Sequence, residues 1–333
     1  MKIGIFVFII LILYSVHLSA QYELSEADAV LIDEAINFQN DIGRRIWKEW
    51  ELSKPPIVFK VDAKDYYINH PNAPKESETY FDKILNDSVS VVPSTDSNMY
   101  QAAFPLKGVW TIVISKPDTS YDIGLWLLKF THESFHLLQS QINPVRVVNP
   151  FVNEYAGFHE MNFPFDYDKE VLSSSLRVEA EGIFNAISLE ESISPGVTAK
   201  LFNSYQNILK YVIEDSLQYK YKQWQEWMEG ISRYTEREAA KLAKGSGFEM
   251  NEKFISFYPE INFEKTWKEH YLNMLNPVRF IGEGVKGRVM FYYSGMGKGY
   301  LLDKINPDWK NKYFKFNLDD LIQKANVKTQ CSQ

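Results

Sequence analysis

The chain has 333 residues, with 36 Lys and Arg against 43 Asp and Glu, giving a formal net charge of −7. That balance, with no basic stripe or patch along the sequence, excludes nucleic acid as an expected partner. Aromatic residues make up 15% of the chain and Cys331 is its one cysteine, so the expected stability is that of a buried core without an internal disulfide.

Met1-Lys2 precede an almost wholly apolar run over residues 3–16, and His17-Leu18-Ser19-Ala20-Gln21 supplies a small residue for cleavage. This pattern predicts a secretory signal peptide over residues 1–20 and a mature protein that is periplasmic or secreted. The run is shorter than the roughly 20 residues of a spanning helix, so no permanent membrane span is expected. Ser25-Glu26-Ala27-Asp28 has the form of a helix start, and Leu31, Ala35, Phe38, Ile42 and Ile46 recur at helical spacing up to about Trp50. Pro55-Pro56 ends that helix, and residues 57–61 read as a short strand. A loop with Asn69-His70-Pro71 follows, in which His70 is expected to be solvated. Residues 109–114 form the best strand of the next segment and are a candidate for holding an extended substrate by strand addition.

Next comes Thr131-His132-Glu133-Ser134-Phe135-His136, which fits the pattern H-E-x-x-H. Residues four apart share one face of a helix, so His132 and His136 can aim two imidazoles at a single ion. Glu133, about a quarter turn round, can reach a metal-activated water as general base. The preceding residues 123–130 are apolar nearly all round, which implies a buried helix. Two histidines and a glutamate buried there need hydrogen-bonding partners, and a metal with its surrounding groups supplies them. The plainer alternative is a core helix whose polar side chains are satisfied by protein alone.

A catalytic zinc site has three protein ligands and an open position, so one further His, Asp or Glu is owed by another element. Two glutamates qualify. Glu179 sits among Leu172, Leu176, Ile183 and Ile187 on one helix face, where a buried carboxylate requires a cation or a ligand histidine. Glu229 lies in Trp227-Met228-Glu229-Gly230-Ile231-Ser232-Arg233-Tyr234-Thr235-Glu236. Read without any relative, that segment is a surface helix with an i,i+4 pair between Glu229 and Arg233.

The same segment resembles the E-G-x-x-x-Y-x-E stretch of gluzincin aminopeptidases, whose first glutamate is the third zinc ligand. The resemblance implies Glu229 in that role. Glu229 nevertheless follows His136 by 93 residues (229 − 136), a far longer gap than in those enzymes, and their G-x-M-E-N motif is missing. The N-terminus-binding specificity of the aminopeptidases is therefore not implied. A closer resemblance is to uncharacterised exported bacterial peptidases that combine HExFHxxQ, a glutamate-bearing middle helix, an EGxxxYT segment and an aromatic-glycine run. The chain matches these at residues 131–139, 175–187, 229–236 and 291–303.

Together these resemblances imply an α+β, predominantly helical, zincin-like metallopeptidase domain over residues 21–333. Two lobes would flank a cleft, with a small β-sheet preceding the HExxH helix. The implied cofactor is Zn2+, held by His132, His136 and Glu229, and the implied activity is hydrolysis of a peptide or protein substrate with Glu133 as general base. Glu179 would orient a ligand histidine or be the true third ligand. Tyr234, Arg288, Tyr292 and Tyr293 are candidate oxyanion or substrate contacts. Two alternatives stay open: an exported zincin-fold binding protein without catalysis, and a zinc hydrolase of a non-peptide amide or ester. The glycines between 282 and 299 lack any Walker or Rossmann context, so they do not read as a phosphate loop.

Overall fold

A computed structural model describes residues 22–96, 98, 100–119, 121–147, 163–188, 202, 204–205, 207–211, 213, 216–245, 248–281 and 284–330. The expected signal peptide and Cys331 lie outside the described residues. In chain order the elements begin with α1 (Glu26–Ile46), followed by the strands β1 (Ile57–Val61), β2 (Lys64–Ile68), β3 (Glu78–Asp82), β4 (Asp87–Pro93), β5 (Gln101–Leu106) and β6 (Val109–Ser115). Then come α2 (Ile123–Ile142), α3 (Pro144–Val147), α4 (Glu170–Ser188), α5 (Ser216–Gln225), a π-turn (Glu226–Gly230) and α6 (Ile231–Gly245). The last are α7 (Glu252–Phe257), α8 (Phe263–Arg279), α9 (Val289–Ile305), α10 (Lys310–Tyr313) and α11 (Leu318–Gln330). The architecture is mixed α and β with helix predominating. Among the described residues no helix is long and apolar enough to cross a membrane.

The chain forms two compact units, one from Met1–Asp41, Leu52–Ser134 and Glu249–Ile261, the other from Ile42–Glu51, Phe135–Phe248 and Asn262–Gln333. In the first unit α1 starts at a reciprocal cap: Ser25 Oγ accepts the Asp28 N–H at 3.2 Å and donates to Asp28 Oδ2 at 2.6 Å. The six strands form one sheet in the order β3-β4-β2-β1-β6-β5, antiparallel except for the parallel β1/β6 pair. The register sets Ile57 beside Ile112 and Phe59 beside Ile114, so four buried apolar side chains share one face. Trp126 of α2 packs edge-on against Phe59 at 6.4 Å and donates its indole N–H to the Ser115 carbonyl at 2.9 Å.

The sheet is larger than the sequence suggests, and its first turn lacks the usual residues. Asp62 and Ala63 link β1 to β2 with φ of 51° and 56°, a turn with both central residues left-handed, yet neither is Gly or Asn. Two expectations are corrected here. His70 is buried rather than solvated: its Nδ1 accepts the Asn72 N–H at 3.1 Å, Tyr67 meets its ring edge-on, and burial lowers its pKa. Strand β6 is paired on both sides, with β1 and β5, so it has no free edge for an added strand.

In the second unit the end of α1 turns back at Ile46, before the expected Trp50. The Trp50 indole folds over Gly43, where even a Cβ would come within 2.3 Å of the ring. Helix α9 is buried nearly all round from Met290 to Leu302 and contacts the π-turn, α4, α6 and α8. The aromatic-glycine run is thus the central helix of this unit. Its backbone touches that of the π-turn: a Cβ on Gly230 would lie 2.5 Å from Gly295 Cα, so both positions require glycine. In the same unit Trp47, Phe135, Trp227, Trp309 and Tyr313 form one buried aromatic cluster.

Candidate metal centre

Helix α2 carries the HExxH motif with its polar residues inward. Thr131 and Ser134 bond back to the carbonyls of Leu127 and Phe130 at 3.0 and 2.8 Å, so their hydroxyls are satisfied within the helix. Phe135 lies against Trp47, centroids 5.0 Å apart, which fixes the rotation of the helix about its axis. His132, Glu133 and His136 are respectively 4%, 6% and 3% exposed, so burial on an apolar helix holds as the sequence implies. Glu229, 8% exposed, comes from the π-turn, all five residues of which are buried. Such turns insert a residue into a helix and are frequent at functional sites.

His132, His136 and Glu229 each offer one ligand atom, and these atoms lie within 4.8 Å of one another. His136 Nε2 is 3.5 Å from Glu229 Oε2, long for a hydrogen bond between them. Two donors each about 2.1 Å from a tetrahedral centre sit about 3.4 Å apart, so this spacing suits a shared ion. The group therefore fits a divalent metal in both donor chemistry and separation. The far side of the His136 ring is also engaged: Nδ1 is 2.8 Å from Gln139 Oε1 and 3.2 Å from Ser232 Oγ.

The other glutamate weighed from the sequence is not in this group. Glu179 of α4 meets two ammonium groups, Lys222 Nζ at 3.1 Å and Lys298 Nζ at 2.9 Å, with both lysine side chains fully buried. Lys222 and Lys298 each also reach Glu226 at 2.7 Å, and Lys298 reaches Asp319 at 2.7 Å. Burial raises the Glu179 carboxyl, but Lys222 and Lys298 outweigh it and hold it below the ordinary value. The surface pairing of Glu229 with Arg233 gives way to a different one: Arg233 bonds Glu236 at 2.8 Å on a largely buried helix.

Of the candidate oxyanion donors, Tyr234 gives its hydroxyl to Asp303 at 2.8 Å, and burial followed by that carboxylate pushes its pKa far up. Tyr292 lies beneath the guanidinium groups of Arg233 and Arg288, 5.9 and 5.7 Å from its centroid. Tyr293 is half-buried on α9. Reading the sequence assigned no role to Gln139, Ser232 or Tyr313. Gln139 and Ser232 lie three residues after His136 and Glu229, a spacing that places each beside its ligand on a helix, whereas nothing local marks Tyr313. Comparison with protein-family models, with curated proteins and with solved structures finds no match.

Proposed function

We propose that this protein is an exported zinc metallopeptidase with a zincin-like core, in which His132, His136 and Glu229 hold the ion and Glu133 moves the proton. The observation that carries the reading is the meeting of one ligand atom from each of the three residues within 4.8 Å. It occurs on a helix that also supplies a carboxylate directly after the first histidine. Two neutral imidazoles and one carboxylate leave a divalent ion with net positive charge and an open position, the pattern of catalytic zinc. Zinc held there supplies a Lewis acid that polarises a carbonyl oxygen and makes water acidic near neutral pH. Glu133 has two tasks. It takes a proton from the water that attacks the scissile carbonyl, then delivers it to the amide nitrogen, so that the C–N bond breaks with a neutral amine leaving. Peptide is favoured as substrate by the resemblance of the HExxH and EGxxxYxE segments to peptidases.

Elemental analysis is expected to find about one zinc per chain in the purified protein and none in His136→Ala. Wild type is expected to cleave members of a mixed peptide library, and Glu133→Gln to retain zinc while losing about 10²- to 10⁴-fold in rate. Zinc uptake with cleavage only of simple esters or non-peptide amides redirects the assignment of substrate. No zinc after reconstitution overturns the proposal.

A further inference from the structure

A single side chain in the second unit joins His136 to the turn that carries Glu229. Gln139 Oε1 lies 2.8 Å from His136 Nδ1. On its other side Gln139 Nε2 lies 3.1 Å from the Trp227 carbonyl, 3.0 Å from the Met228 carbonyl and 2.7 Å from the Tyr313 hydroxyl. Carbonyl oxygens only accept, so the amide nitrogen must face them and the amide cannot be flipped. Its oxygen then faces the imidazole and can only accept in turn. His136 therefore carries a proton on Nδ1, so in the neutral ring the lone pair is on Nε2, the atom 3.5 Å from Glu229.

Ser232 gives the same answer independently. Its hydroxyl hydrogen goes to the Met228 carbonyl at 2.8 Å, which leaves its oxygen to accept from His136 Nδ1 at 3.2 Å. Tyr313 closes the arrangement by donating to the Trp227 carbonyl at 2.5 Å, and burial raises its pKa so that the hydroxyl stays protonated. Trp227 and Met228 are the two residues before Glu229 in the π-turn, and each carbonyl receives two side-chain donors. Gln139, Ser232 and Tyr313 are all fully buried, so water does not compete for these bonds.

We infer that Gln139 is the positioning residue of the metal centre, fixing His136 as the Nδ1–H tautomer and holding the π-turn so that Glu229 stands at ligand spacing. Ser232 is the second acceptor at the same nitrogen. This rests on the metal-centre reading above. A glutamate at 139 would keep the acceptor for His136 but set a negative oxygen against two carbonyls, so the site calls for an amide, which donates on one side and accepts on the other.

The test uses metal-free protein labelled with 15N-histidine, read by NMR, together with zinc affinity from chelator competition. In the neutral ring, wild-type His136 is expected to carry its proton on Nδ1 and none on Nε2. Gln139→Leu should mix the two tautomers and weaken zinc binding about 10- to 100-fold. Gln139→Glu should keep the Nδ1–H signature yet still bind zinc more weakly, because the turn is no longer held. Ser232→Ala, a smaller change that retains the fold should Gln139→Leu fail to do so, should weaken zinc binding severalfold. An Nε2–H imidazole in wild type, or Gln139 and Ser232 variants with unchanged tautomer and affinity, overturns the inference. Wild type with the Nδ1–H imidazole that takes up no zinc overturns the metal centre instead.

Discussion

Two clusters of buried ionisable groups, one around Glu179 and one around Glu229, are built on opposite plans. Around Glu179, three carboxylates (Glu179, Glu226, Asp319) surround two ammoniums (Lys222, Lys298), every one of them buried, so the protein supplies its own counter-charge. Around Glu229, the grouped partners are two imidazoles, which bring lone pairs when neutral and leave a place for a cation from outside. The same residue type, buried to a similar degree on helical backbone, is thus a lattice point of a salt-bridge network in one place and a candidate ligand in the other. The partner decides, not the glutamate.

Isosteric replacement breaks the comparison most sharply. Glu229→Gln is expected to reduce zinc from about one per chain to background, while Glu179→Gln leaves zinc content unchanged. Both are measured by elemental analysis on dialysed protein. Zinc lost from Glu179→Gln, with the fold intact by circular dichroism, would reverse the assignment of the two carboxylates.

Stability should respond in the other order. Lys298→Met takes one of two ammonium partners from Glu179 and from Glu226 and removes the ion pair of Asp319, and breaking a buried pair in this way costs about 3–5 kcal/mol. Urea denaturation checks it. The paired change Lys298→Met with Glu226→Gln should recover part of that loss, because the two sites share one network. The lowered pKa values of Glu179 and Asp319 set the sign of their own contribution: it is complete above the unfolded carboxylate values near 4 and is lost as pH falls through the folded ones, whereas Glu226, whose carboxyl burial raises, contributes in the opposite sense.

How much of this was legible in the sequence follows from how far apart the partners lie. His132, Glu133 and His136 could be read together because helix geometry alone sets them on neighbouring faces. That Glu179 needed a cation was also readable from its apolar neighbours. Which cation was not, since Lys222 and Lys298 arrive from helices 43 and 119 residues further on (222 − 179 and 298 − 179). Gln139 illustrates the same limit at short range: its spacing to His136 was visible, but its direction depends on carbonyls freed in a π-turn that no residue pattern announces. Strand β2 went unread because the Asp62-Ala63 turn takes positive φ at both positions without the Gly or Asn that marks such a turn.

Another buried carboxylate, in the first unit, completes the comparison because its hydrogen-bond partner is a backbone N–H rather than a lysine or a histidine. Glu34 of α1 is 2% exposed and accepts the Asn251 backbone N–H at 3.3 Å. Burial raises its pKa from 4.5 to about 7, the Asn251 bond lowers it less, and the charge of Asp33 adds to the rise. The sign is therefore opposite to that of Glu179 and Asp319. The folded protein holds a proton that the unfolded chain releases above 4.5, so the contribution is complete below that value and is lost as pH rises through about 7. Glu34→Gln removes the titration while keeping a group that accepts from Asn251. It should match wild type near pH 5 and exceed it by about 1 kcal/mol near pH 9, once screening by nearby water is allowed for. Thermal melts across that range provide the check. A constant difference between the two proteins at every pH would mean that Glu34 is already charged in the fold, with a compensating cation close by, which would place it with Glu179 rather than apart from it.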